Sequence, residues 1–187
     1  MTSPFETGHL FGPATLLQAQ ALGKPGERTF RILVESDDAR SAVLWLEKEQ
    51  LQALGLALEQ LLAEPQGRLA SSSKAPPQPT PETFPPYPTV DFKVGRLALG
   101  QDEGELETGP RYILLAYDLE STTTEEQDEP LPPPTFLCRA TREQLRALSR
   151  NIADVVAAGR PRCPLCGEPL QRLDQPHGCV RANGHHA

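Results

Sequence analysis

Three cysteines and three histidines fall within two dozen residues near the end of the chain, in CPLCGEPLQRLDQPHGCVRANGHH at 163–186. Thiolate sulfur and imidazole nitrogen are the ligands that zinc takes, four at a time and tetrahedrally. Cys163 and Cys166 form C-x-x-C, flanked by Pro164 and Gly167 as CPxCG. The two-residue spacer lets both sulfurs face one point, and the glycine permits a tight turn that aims backbone N–H groups at them. Cys179 supplies a third sulfur, and His177, His185 and His186 compete for the fourth position. His177 is favoured, because His177–Gly178–Cys179 makes a short H-x-C turn opposite the C-x-x-C. His185 is the runner-up, since Cys179 and His185 form a workable C-x5-H, and His186 stands next to the last residue. Four protein ligands leave no open position for a reacting water, so the chemistry expected is structural zinc. A tail of ~25 residues cannot bury a core of its own, so metal binding would supply its folding energy.

Other chemistry finds little footing in the sequence. It has no H-E-x-x-H, no deaminase-like Glu beside a His, no phosphate-binding glycine loop and no G-x-S-x-G. Cys138, in TFLCRA, reads as a small buried apolar residue. His9 reads as a surface residue and the acidic run Glu125–Glu129 as a solvated loop. GKPGERTF at 23–30 reads as a hairpin turn, with anion binding by its backbone N–H groups as the alternative.

The 187 residues carry a net charge of -7, unevenly spread. Residues 1–138 hold 10 Lys and Arg against 21 Asp and Glu, whereas residues 139–187 hold 8 against 4. An acidic body argues against nucleic acid as its partner, and the basic tail keeps that option. The opening MTSPFETGHL has neither the basic nor the apolar region of a signal peptide, and no apolar run reaches the ~18–20 residues of a membrane span. A cytoplasmic protein with no membrane partner is expected, and there clustered thiols mean metal rather than disulfides.

The elements that carry this tail follow from two helical patterns. Residues 47–64 place Leu51, Leu54, Leu58, Leu61 and Leu62 on one stripe, and residues 141–159 do the same with Leu145, Leu148, Ile152, Val155 and Val156. The second set lies 94 residues beyond the first throughout, and EQLxAL recurs at Glu49–Leu54 and Glu143–Leu148. Amphipathicity explains the leucines but not the shared Glu–Gln pair. Thr141 and Gln144 form a capping box, and Gly159 with Pro161 ends the second helix. Strands are expected at 14–22, 28–36 and 41–46 before the first helix, and at 90–100, 111–120 and 135–140 before the second.

Each half thus reads β-β-β-α. The fold class expected is α+β: a duplicated β-β-β-α unit forming a mainly antiparallel six-stranded sheet with two helices on one face, plus a small zinc-ribbon-like segment. Trp45, Phe30, Ile32 and Tyr112 are expected to join the helix stripes in the core. The expected domains are 1–159, with units at about 14–64 and 90–158, and the tail 160–187. A Pro- and Ser-rich linker at 65–89 and an acidic, Pro-rich insertion at 121–134 read as solvated connections.

The segments GxPGxRTF (Gly23–Phe30), LEKEQL (Leu46–Leu51) and CPLCGEPL…HGCVRANGH resemble an uncharacterised bacterial family of conserved "repeat proteins" with a domain of unknown function. The resemblance spans nearly the whole chain. It implies that the H-x-C pair belongs to the motif, together with Arg181, Asn183 and Gly184, which supports His177 over His185. Val180 stands where the resemblance implies proline. It implies no activity; such proteins are commonly encoded beside phosphoinositide-kinase-like and histidine-phosphatase-like proteins, which points to phosphoryl-transfer partners. The leading expectation is a zinc-stabilised binding or adaptor protein with a protein partner. The alternatives are nucleic-acid binding through Arg160, Arg162, Arg172 and Arg181, and an enzyme acting on a small phosphorylated ligand near Gly23–Arg28.

Overall fold

A computed structural model describes residues 8–24, 26–63, 84–101, 112–122 and 133–159, together with Cys163, Leu165, Cys166, Leu170 and Cys179. In chain order the elements are β1 (His9–Leu22), β2 (Thr29–Ser36), β3 (Ser41–Leu46), α1 (Lys48–Ala63), β4 (Val90–Gln101), β5 (Tyr112–Asp118), α2 (Leu119–Thr122), β6 (Phe136–Ala140) and α3 (Arg142–Ala157). The mixed α+β class and the six-stranded, mainly antiparallel sheet agree with the sequence reading. The sheet also closes on itself, because β3 pairs with β4 and β6 with β1, both in parallel. A parallel pair needs a crossover, and α1 provides it between β3 and β4. Closure leaves each strand with a neighbour on both sides for at least part of its length.

Alternation along the strands selects the interior. Phe30, Ile32 and Val34 of β2, Ala42, Leu44 and Leu46 of β3, Tyr112, Leu114 and Ala116 of β5, and Phe136, Cys138 and Ala140 of β6 share one cluster. In β1 the phase slips twice, at bulges between Leu10 and Pro13 and between Ala14 and Leu16, and in β4 it slips once, between Val94 and Arg96. A bulge inserts one residue, so the inward face passes from Ala14 to Leu17 and from Val94 to Leu97. Leu51, Leu54 and Leu58 of α1 and Leu145, Leu148 and Ile152 of α3 complete the same cluster. The two helices approach closely where α1 has no side chain: a Cβ on Gly55 would stand 3.0 Å from Ile152 Cγ2.

The polar residue shared by the two EQLxAL segments has a structural task. Gln144 is buried; its Oε1 accepts from the Thr141 N–H at 2.9 Å, and its Nε2 donates to the carbonyl of Ala14 at the β1 bulge. The Thr141 hydroxyl accepts from the Gln144 N–H, completing the capping box. Gln50 is partly exposed and repeats the pattern: Oε1 accepts from the Glu47 N–H, and Nε2 donates to the carbonyls of Val94 and Gly95 at the β4 bulge. Each helix therefore fastens the irregular point of the first strand in the other half of the chain. On α3, Asn151 adds an acceptor for the Ala19 N–H at 2.6 Å. Arg142 donates to the Leu62 carbonyl and to the Tyr112 hydroxyl, bringing positive charge to the end of α1, whose last turn has no basic residue.

Three details depart from the sequence reading. Strand β1 begins at His9, ahead of the expected 14, because Gly12 and Pro13 sit within a segment that pairs with β6. Strand β5 stops at Asp118, whose carboxylate accepts from the Glu120 N–H and turns the chain into the one-turn α2. Trp45 faces away from the main core. It lies with Leu16, Leu33, Val43 and Phe84 in a second cluster, donates to Asp91 at 2.6 Å and has the Arg31 guanidinium 5.6 Å from its ring. The linker expected at 65–89 and the insertion at 121–134 lie largely outside the described residues.

Two turns are fixed by chemistry expected of their residues. Gly23–Arg28 is the β1–β2 hairpin; Gly23 has φ 94°, and a Cβ there would meet the Glu27 carbonyl at 2.5 Å. In the β2–β3 turn, hydrogen bonds from Arg40 and then Ser36 hold the Asp38 carboxyl down at about 2. No helix among the described residues is long and apolar enough to cross a membrane.

Candidate metal centre

The tail brings its three cysteines together. The sulfurs of Cys163, Cys166 and Cys179 all lie within 4.8 Å of one another, and the Sγ atoms of Cys163 and Cys179 are 3.8 Å apart. Cys163 and Cys179 are buried with Leu170, while Cys166 is partly exposed at the edge of this small cluster. The sequence reading assigns no role to Leu170; its apolar side chain four residues after Cys166 packs with the sulfurs and shields them.

The local backbone explains the electrostatics. The Cys163 thiol is pulled down to about 6, first by the backbone N–H of Cys166. The Leu165 N–H and the Cys166 and Cys179 side chains act the same way, and burial opposes them. N–H groups therefore converge on sulfur at the C-x-x-C turn, as its spacing predicts. Lowering a thiol favours the thiolate, which is the form that binds metal.

Distances give a further test of fit. Metal–sulfur bonds of about 2.3 Å at tetrahedral angles place two sulfurs about 3.8 Å apart. The Cys163–Cys179 separation of 3.8 Å meets that value. Three cysteines in this arrangement can hold a metal ion. His177, His185 and His186 lie outside the described residues, as do Arg160, Arg162, Arg172 and Arg181.

The remaining candidate residues are placed elsewhere. Cys138 is fully buried in β6 opposite Leu114, and burial pushes its thiol up to about 12. His9 is exposed, and its backbone N–H donates to the Thr135 carbonyl. Both positions agree with the sequence reading.

Residues 9–179 match the family described as "Protein of unknown function (DUF3090)". This is in keeping with the domain of unknown function that the motifs resemble. No curated protein and no solved structure matches the chain.

Proposed function

Since the chain belongs to this family of unknown function, we propose that it is a binding or adaptor protein whose tail is folded around one structural zinc ion, held by Cys163, Cys166, His177 and Cys179. The observation that carries the reading is the trio of sulfurs within 4.8 Å, one pair at the spacing a tetrahedral ion requires. Zinc is the metal of choice for three thiolates and an imidazole. With His177 as the fourth ligand the shell is complete, so the ion shapes a surface instead of activating water. The residues 160–187 then form a zinc-ribbon-like unit attached to the end of α3, and the partner is a protein.

A duplicated β-β-β-α unit is part of this proposal. Its support is the correspondence of core positions. Ile32 and Leu114 occupy matching places in β2 and β5, Leu44 and Cys138 in β3 and β6, and Leu58 and Ile152 in α1 and α3. Both first strands carry a bulge, and Gln50 and Gln144 each bind the other half's bulge.

Metal analysis of the purified protein tests the reading. About one zinc per chain is expected, lost in Cys163→Ser and His177→Ala and kept in His185→Ala. Retention in His177→Ala with loss in His185→Ala would reassign the fourth ligand; a metal-free chain under zinc excess would end the proposal. Hydrogen exchange with a chelator should unprotect 160–187 and leave α1 and α3 protected. Equal loss in α1 would contradict a separate tail.

A further inference from the structure

We infer that the cysteine cluster is also a peroxide-responsive site, at which Cys166 is the first sulfur oxidised and closes a disulfide with Cys163 or Cys179, releasing the metal. This rests on the metal reading above and adds a chemical trigger to it. The four cysteines fall into three environments. Cys138 is fully buried in the β6 strand, where an oxidant meets only core side chains. Cys163 and Cys179 are each 5% exposed. Cys166 is the partly exposed member, and its neighbour Leu165 is 54% exposed, so the turn that carries it faces solvent. Reaction with a small oxidant follows access, so the cluster is approached from the Cys166 side.

Proximity supplies the second step. Both other sulfurs lie within 4.8 Å of that of Cys166. A disulfide bond is ~2.05 Å long, so a modest movement of one side chain brings a pair into bonding range. In the first step hydrogen peroxide transfers one oxygen to the Cys166 sulfur; the O–O bond breaks, sulfenic acid forms and one water leaves. In the second, a neighbouring sulfur attacks that sulfur, the S–S bond forms, the S–O bond breaks and a second water leaves. Two metal-bound thiolates, one peroxide and two protons from solvent thus give one disulfide, two waters and a free metal ion. Peroxide is reduced and the thiolates are oxidised. A disulfide removes two ligands at once, and the remaining donors do not hold a tetrahedral ion. Dithiothreitol reverses the step by thiol–disulfide exchange.

The experiment uses the full-length protein loaded with zinc and treated with hydrogen peroxide. Release is followed with a chromogenic chelator, free thiols are counted, and the disulfide is mapped by mass spectrometry. Zinc should leave in step with the loss of two thiols, the mapped disulfide should contain Cys166, and Cys138 should remain a thiol. Dithiothreitol followed by zinc should restore the loaded form. Zinc retained under tenfold excess peroxide would refute the inference and leave the metal reading standing. So would release with Cys163–Cys179 as the sole disulfide. A chain that takes up no zinc at the outset would remove both.

Discussion

Replacing Gln144 by leucine should destabilise the protein more than the same change at Gln50. Gln144 is 3% exposed and uses both ends of its amide, one on the Thr141 N–H and one on the Ala14 carbonyl. Leucine is similar in size and keeps the packing, but it leaves both backbone groups without their partner. A buried polar group left unsatisfied costs about 1–3 kcal/mol, so the pair together should cost about 2–4 kcal/mol. Gln50 makes equivalent bonds to Glu47, Val94 and Gly95, but it is partly exposed. Water can replace what it loses, and the cost there should be only about 1 kcal/mol. For a chain of this size about 1 kcal/mol moves the melting temperature by about 2–4 °C. The melting temperature followed by circular dichroism should therefore fall by roughly 4–16 °C for Gln144→Leu and by roughly 3 °C for Gln50→Leu. Gln144→Glu should be at least as damaging as leucine, since it turns a carboxylate oxygen toward the Ala14 carbonyl. A Gln144→Leu protein melting within ~2 °C of the parent, or one more stable than Gln50→Leu, would refute the reasoning.

Three further outcomes are expected. Gly55→Leu should cost about 1–3 kcal/mol by overpacking against Ile152, while Leu56→Ala, at a residue 62% exposed, should stay within about 0.5 kcal/mol of the parent in urea unfolding. Cys138 should resist thiol reagents in the native protein and react only after unfolding, and Cys138→Ser should lose about 1–3 kcal/mol with unchanged zinc content. Asp38, held at about 2 against an ordinary 3.8, stabilises its turn above its unfolded value. That contribution should disappear as pH falls from about 4 toward 2; amide shifts of Asp37–Arg40 should titrate in that window in the parent and not in Asp38→Asn.

Helices were the most legible part of the fold. Stripes read at 47–64 and 141–159 became α1 at Lys48–Ala63 and α3 at Arg142–Ala157, because both periodicity and the Thr141–Gln144 box are local signals. Strand positions were legible for the same reason. Closure of the sheet was not, since it depends on the β1–β6 and β3–β4 pairings between residues far apart in the chain. The face of Trp45 was hidden because SAVLWL is apolar at almost every position, so alternation gives no phase. The β1 bulge was equally silent, since nothing in Ala14–Leu16 marks an extra residue, whereas Gly95 between Val94 and Arg96 is the kind of isolated strand glycine that goes with a bulge. At the metal centre, the C-x-x-C spacing foretold both the sulfur cluster and its converging N–H groups. Leu170 escaped notice because one leucine has no periodic partner to mark it.

The crossed fastening of helices and bulges has a consequence for how the protein is made. Ala14 and Gln144 are separated by 130 positions along the chain. A ribosome adds roughly 5–20 residues each second. The hairpin partner ends at Ser36, so the first strand and that partner are complete roughly 5–22 s before the helix that covers the β1 bulge exists. During that interval the Ala14 carbonyl and the Ala19 N–H, later taken by Gln144 and Asn151, face outward on a nascent strand edge. Such an edge is a template for pairing with another nascent chain. Slower elongation through the second half lengthens that exposure, so the yield of soluble protein becomes a question of translation speed as well as of final stability.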